Sequence, residues 1–279
     1  MTAFETARDV VLAALEALAN EDPRIEALWL QGSLAAGGDD PYSDIDAYLA
    51  IRDADYDAVW AEREAVLELL GGALAWSNAT TPGFIAVHAL MRGGVRLDLM
   101  FEKASAADAA ARPAVKVLLD KTGVAAGLRL DWRPETATVA RIITTTIRMT
   151  RQGATWPLRV LGRGQWGTLA KIELDLINFQ VAQLMAVSHD PANVYKNPNA
   201  LAQTLTDVER ALLADLTDAA LAALAARDLK ALKAVHLRIG DALVSAGQAA
   251  CAALGVAYPI DDAREQAVRD LIESSWPDV

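Results

Sequence analysis

Apolar residues recur at helical spacing over residues 3–19 (AFETARDVVLAALEALA), and a short apolar run, Ala27 to Leu30, then stops at Gln31-Gly32. This predicts a helix followed by a strand. Residues 44–51 (DIDAYLAI) alternate, with Ile45, Ala47, Leu49 and Ile51 on one side and Asp44, Asp46, Tyr48 and Ala50 on the other. Residues 55–70 return to helical spacing and end at Gly71-Gly72. Two β-type runs follow, FIAVHAL (84–90) and VRLDLMF (95–101), with the glycines of MRGG between them suited to a tight hairpin.

Beyond residue 102 the strand pattern fades except at KVLLD (116–120), and from Thr136 the chain reads as helices over 136–151, 167–187, 200–226, 228–254 and 262–275. Pro134 suits the first turn of that block, so a domain boundary is expected near residue 133. The fold class expected is α/β (α+β) with a mixed sheet over residues 1–133, followed by an all-α helical bundle over 134–279. The Ala-rich stretch 211–235 keeps its leucines at helical spacing, which predicts two packed helices with a break near Arg227-Asp228.

Composition narrows the function. The chain has 279 residues, a 53% hydrophobic share and a formal charge of −11. An acidic surface argues against broad contact with a nucleic-acid backbone and favours cationic small molecules. No apolar run reaches the roughly 18 residues that span a bilayer, and the first residues lack a basic region followed by an uncharged hydrophobic stretch, so no membrane association is expected and the cytosol is the expected compartment. The single cysteine, Cys251, lies in an Ala-rich segment and is read as a small buried hydrophobe.

The acidic residues of the first half carry the candidate chemistry. Asp44 and Asp46, two apart on one strand, project the same way and would repel each other unless a cation compensates; oxygen ligands at this density suit Mg²⁺. Asp98 interrupts an apolar strand and shares a face with Arg96 and Met100. If that strand neighbours DIDAYLAI, Asp98 becomes a third carboxylate at the same centre, an arrangement suited to in-line attack on a phosphate. The turn at Gly32-Ser33 lets backbone and hydroxyl approach phosphate oxygens. His88 is expected opposite Leu99, on the apolar side and away from Asp98, if Gly93-Gly94 makes a two-residue loop.

Gly32-Ser33, ten intervening residues and Asp44-Ile45-Asp46 together resemble the signature of the DNA polymerase β-like nucleotidyltransferase superfamily, in the style of its small-molecule (aminoglycoside and lincosamide) transferases. VRLDLMF, KVLLDKTG (116–123) and RGQWGTLAKIELDLINFQVAQL (163–184) are similar to further stretches of such relatives. A departure lies at Leu34-Ala35-Ala36, where many relatives carry an arginine. The resemblance implies Asp44 and Asp46 as metal ligands, and Gly32, Ser33 and Ser43 as nucleotide contacts. It implies Asp98 as ligand or base, with Glu173 of the helical half as an alternative base beside Asp175. Lys171 and Asp175, four apart on a helix, are expected to form an ion pair.

The activity implied is Mg²⁺-dependent transfer of a nucleoside monophosphate, AMP from ATP, to a hydroxyl of a small molecule such as an aminoglycoside, by a monomer or homodimer. The alternatives are modification of a protein hydroxyl, as in the nucleotidyltransferase partners of toxin systems, and a nucleotide-binding protein without turnover.

Overall fold

The computed structural model describes residues 2–37, 42–81, 84–196 and 198–276. The chain divides into two compact units, Met1–Arg133 and Pro134–Val279.

In the first unit, α1 (Ala3–Glu21) precedes β1 (Ile25–Leu30), α2 (Gly32–Ala36), β2 (Ile45–Ile51), α3 (Tyr56–Ala61), α4 (Arg63–Leu69), β3 (Ala73–Thr81), β4 (Phe84–Met91), β5 (Arg96–Lys103) and β6 (Lys116–Asp120). Thr2 and Glu5 form a capping box that satisfies the first free N–H groups of α1. The strands make one mixed sheet in the order β3-β4-β5-β2-β1-β6. The β2–β5 pair is parallel and every other pair antiparallel.

Period-two alternation gives this sheet two different faces. Leu28, Leu30, Ile45, Ala47, Leu49, Leu97, Leu99 and Phe101 point to one side and are sealed by Val11 and Leu15 of α1 and by Val59, Val66 and Leu67 of α3 and α4. The opposite parity places Asp46 and Tyr48 of β2 beside Asp98 and Met100 of β5. This second face has its own smaller core around Ala27, Trp29, Ala50 and Ala107. One face of the sheet therefore holds the unit together, and the other is left for chemistry.

The floor of that second face is stiffened by a buried ion pair. Arg112 donates to both oxygens of Glu102 at 2.7 and 2.8 Å and to the Ala107 carbonyl at 3.1 Å. Its guanidinium lies 5.1 Å from the Trp29 ring centroid and 4.9 Å from that of Tyr48, and the two rings stack at 5.8 Å. Burial pushes the Glu102 carboxyl up, and Arg112 opposes the shift. Removing one partner strands a charge, so Arg112→Met is expected to cost about 3–5 kcal/mol of stability in urea denaturation. Arg112→Met with Glu102→Leu is expected to recover most of that loss.

Three features of this unit depart from the sequence pattern. β3 was not expected: its side chains are almost all exposed, including Leu74 and Trp76, so an edge strand with no buried face shows no alternation. The helix expected over 55–70 is a 3₁₀ turn, Asp53–Asp55, followed by α3 and α4 with a break at Glu62; the apolar spacing stays in phase across the break and hides it. The β4–β5 hairpin turns on three residues rather than two: the Met91 N–H donates to the Val95 carbonyl at 2.8 Å, with Gly93 and Gly94 at φ +90° and +85° between them.

The second unit is all helical: α5 (Thr136–Gln152), α6 (Trp156–Gly162), α7 (Trp166–Asp175), a π-helical segment (Leu176–Val181), α8 (Ala182–His189), α9 (Pro198–Ala202), α10 (Asp207–Ala226), α11 (Leu229–Ala253) and α12 (Asp262–Ser275). α10 and α11 form the expected pair, parted by Arg227 at φ +52° and by Asp228, which caps α11 through the Ala231 N–H. The helix expected over 167–187 is interrupted by the π-helical segment, and the one over 200–226 is divided between α9 and α10. α6 was not expected. Cys251 is buried, and burial pushes its thiol up, so it serves as packing. Among the described residues, no helix is long and apolar enough to cross a membrane.

Candidate active site

β1 stops at Leu30, and the Gln31 N–H donates to the Asp46 carbonyl at 2.9 Å, which ties the end of β1 to the start of β2. The chain then turns at Gly32 with φ +64° and enters the single turn α2, closed by Gly37 at φ +72°. A Cβ at Gly32 would lie 2.1 Å from Asp46 Oδ2 and 3.2 Å from its Cγ. Glycine is therefore required twice, by a left-handed backbone and by a carboxylate that rests against it. Ser33 follows, half-buried, and Leu34 packs on the core below. Four of the ten residues between Ser33 and Asp44, 38–41, lie outside the described residues.

Asp46 sits directly beside Asp98 in the parallel β2–β5 register, and Asp44 precedes the strand by one residue. Asp46 is pushed above the ordinary carboxylate range, first by burial and then by the negative charges of Asp98 and Asp44; Arg96 and His88 act the other way. The fold holds these acids together at an electrostatic cost, a mark of functional sites.

The positive groups are concentrated on Asp98. Arg96, two residues before it on the same face of β5, donates to its two oxygens at 3.2 and 3.0 Å and lies 3.9 Å from Asp44. His88 of β4 pairs with Asp98 in the sheet register, its Nδ1 2.8 Å from Asp98 Oδ1.

This corrects the expectation for His88. With a three-residue hairpin loop the register moves by one position, and the imidazole passes from the apolar face to the acidic one. The three carboxylates are neighbours, and both oxygens of Asp98 lie within hydrogen-bond reach of Arg96, with Oδ1 also facing His88.

Glu173 is placed elsewhere. It lies in the second unit, fully buried, with Oε1 3.0 Å from His236 Nδ1. Lys171 and Asp175 form the ion pair expected of their spacing.

What the sequence pattern missed is His88 as a partner of Asp98, and the Trp29–Tyr48–Arg112–Glu102 floor. Arg96 was legible, since it shares the face of Asp98. The floor joins residues from β1, β2, β5 and the segment after it, which no local pattern connects. Tyr48, one alternation along from Asp46, is pushed up to about 12, chiefly by burial, and is therefore neutral at physiological pH.

Residues 6–132 match the sequence model of the family described as streptomycin adenylyltransferase. Among solved structures, the chain is similar to the crystal structure of an aminoglycoside 6-adenyltransferase from Bacillus subtilis, at 14% identity and a TM-score of 0.41 over 96% of this chain and 98% of that one. No curated protein sequence matches.

Proposed function

We propose, from the match of residues 6–132 to the family described as streptomycin adenylyltransferase, that the protein transfers AMP from ATP to a hydroxyl of an aminoglycoside and releases pyrophosphate. In that reaction the acceptor oxygen forms a bond to the α-phosphorus, the bond from phosphorus to the bridging oxygen of the β-phosphate breaks, and the hydroxyl proton passes to a base.

The observation that carries the reading is the carboxylate of Asp46, seated against Gly32 and beside Asp98. Asp44 and Asp46 would hold a divalent cation, Mg²⁺. The donor set fits: Mg²⁺ is commonly bound by one or two carboxylates with substrate phosphates completing its shell. Burial, and after it the charges of Asp98 and Asp44, raise the Asp46 carboxyl, and a cation at this position would oppose both. When bound, the ion would polarise the α-phosphate and offset charge on the leaving pyrophosphate.

The chain's own groups do the remaining work. Gly32 permits close approach of the backbone, and Ser33 and Ser43 supply hydroxyl donors to the triphosphate. Asp98 accepts the proton of the acceptor hydroxyl, oriented by His88 and Arg96, which fix both its oxygens. An overall charge of −11 favours a cationic acceptor.

The test is mass spectrometry of streptomycin and other aminoglycosides incubated with the protein, ATP and Mg²⁺. The expected product carries one adenylyl group, with one pyrophosphate released for each. Hydrolysis of ATP with no adenylylated aminoglycoside would contradict the reading.

A further inference from the structure

A cavity of about 540 Å³ opens in the second unit, walled by α5, α7 with the π-helical segment, α11 and α12. Its size is that of a drug-sized ligand site. Three independent features mark it as built for a ligand.

The first is the π-helical segment itself. π-helical turns are rare and gather at functional sites. Here Leu176–Val181 interrupts the helix where Leu176 and Gln180 line the cavity.

The second is a buried acceptor without a donor. The Oε1 atom of Gln180 is buried and has no hydrogen-bond partner. Leaving such an atom unsatisfied is costly, and an N–H donor in the cavity would satisfy it.

The third is His236, which also lines the cavity. The buried carboxylate of Glu173 lies 3.0 Å from its Nδ1. Nδ1 is turned to that carboxylate, so Nε2 is the ring nitrogen left for a ligand. Among the described residues Nε2 has no hydrogen-bond partner. The side chains of His236 and Glu173 are 6% and 1% exposed, so the imidazole is fixed in place.

The charge of the lining decides the class of ligand. Of its four carboxylates, Glu265 is paired with Arg151, Asp241 with Arg269 and Asp175 with Lys171, which leaves Asp262 outside these pairs and both lining guanidiniums already engaged. The remaining wall is largely apolar, with Leu176 and the exposed ring of Trp156 among its members. We propose that this cavity binds an organic cation with an apolar body, its ammonium donating to Gln180 Oε1 and His236 Nε2 and its body packed on Leu176 and Trp156. The ring of Trp156 adds an attractive surface for the cation. Glu173 acts as a positioning residue, through His236. The proposal is independent of the transfer reaction.

Calorimetric titration of the full chain tests it with three probes: tryptamine, which has both body and ammonium; indole, which lacks the charge; and ethylamine, which lacks the body. Saturable binding of one tryptamine is expected, with indole and ethylamine at least about tenfold weaker, the loss that accompanies an unmade hydrogen bond to a charged group. Gln180→Leu is expected to weaken tryptamine about tenfold, Gln180→Glu to retain it, and a saturating concentration of ATP with Mg²⁺ to leave it unchanged. Because Gln180 can be replaced without stranding the Glu173 carboxylate, the test does not depend on a His236 variant that fails to fold. Absence of saturable tryptamine binding, equal binding of indole, no effect of Gln180→Leu, or displacement by ATP would each overturn the proposal.

Discussion

Asp46→Asn is expected to make the protein more stable and inactive. In the folded chain the Asp46 carboxyl is raised above its ordinary value of 3.8 by burial and by two neighbouring acids. A carboxyl whose folded value lies above its unfolded one contributes stability below the unfolded value, and that contribution is lost as pH rises through the folded value. At neutral pH the ionised group therefore opposes folding. Asparagine removes the charge and keeps the shape, so without divalent ions at pH 7 the melting temperature should rise by a few degrees, the scale of about 1 kcal/mol. The gain should shrink as pH falls towards 3.8. The same substitution takes away a carboxylate that would hold the proposed cation, whose stabilisation of transition-state charge by several kcal/mol corresponds to a loss of about 10³-fold in kcat. Differential scanning calorimetry and pyrophosphate release, run on one preparation, measure both effects.

Gly32→Ala is expected to fail on both counts. Its Cβ would come 2.1 Å from Asp46 Oδ2, which forces the carboxylate to move, and φ +64° is unfavourable for alanine. The left-handed backbone alone costs about 1–2 kcal/mol. A displacement of the carboxylate by about 1 Å is enough to lower kcat/KM about 10²-fold. Combining Gly32→Ala with Asp46→Ala removes the colliding carboxylate, so in that background Gly32→Ala should retain the backbone cost only, measured as a stability coupling between the two sites.

These two residues also show how much of the site could be read from the chain. Alternation in DIDAYLAI sets the faces of β2, and the lone Asp98 in VRLDLMF marks which side of β5 belongs with Asp46. Both are period-two signals, and both survive in the sheet. Gly32-Ser33 was legible as a turn, but the reason for glycine was not, because the collision partner is fourteen positions along the chain on another strand. His88 turned on a single residue of loop length, since a hairpin register is set by the turn and a shift of one position reverses every side chain. The burial of Glu173 was not legible, because helical spacing gives its face but not what covers it; the partner, His236, lies on α11. The π-helical segment was invisible for a related reason: its sequence, LINFQV, is compatible with an ordinary helix.

Asp44 and Asp46 are the proposed seat of a cation that the nucleotide shares. The most direct measurement is equilibrium binding of a fluorescent ATP analogue to the wild-type protein and to Asp44→Asn/Asp46→Asn, each with Mg²⁺ and with excess EDTA. Tight binding by the wild type in Mg²⁺ only, lost in EDTA and in the double variant under both conditions, is the predicted result. Nucleotide binding of equal strength in EDTA, or by the double variant in Mg²⁺, would contradict it.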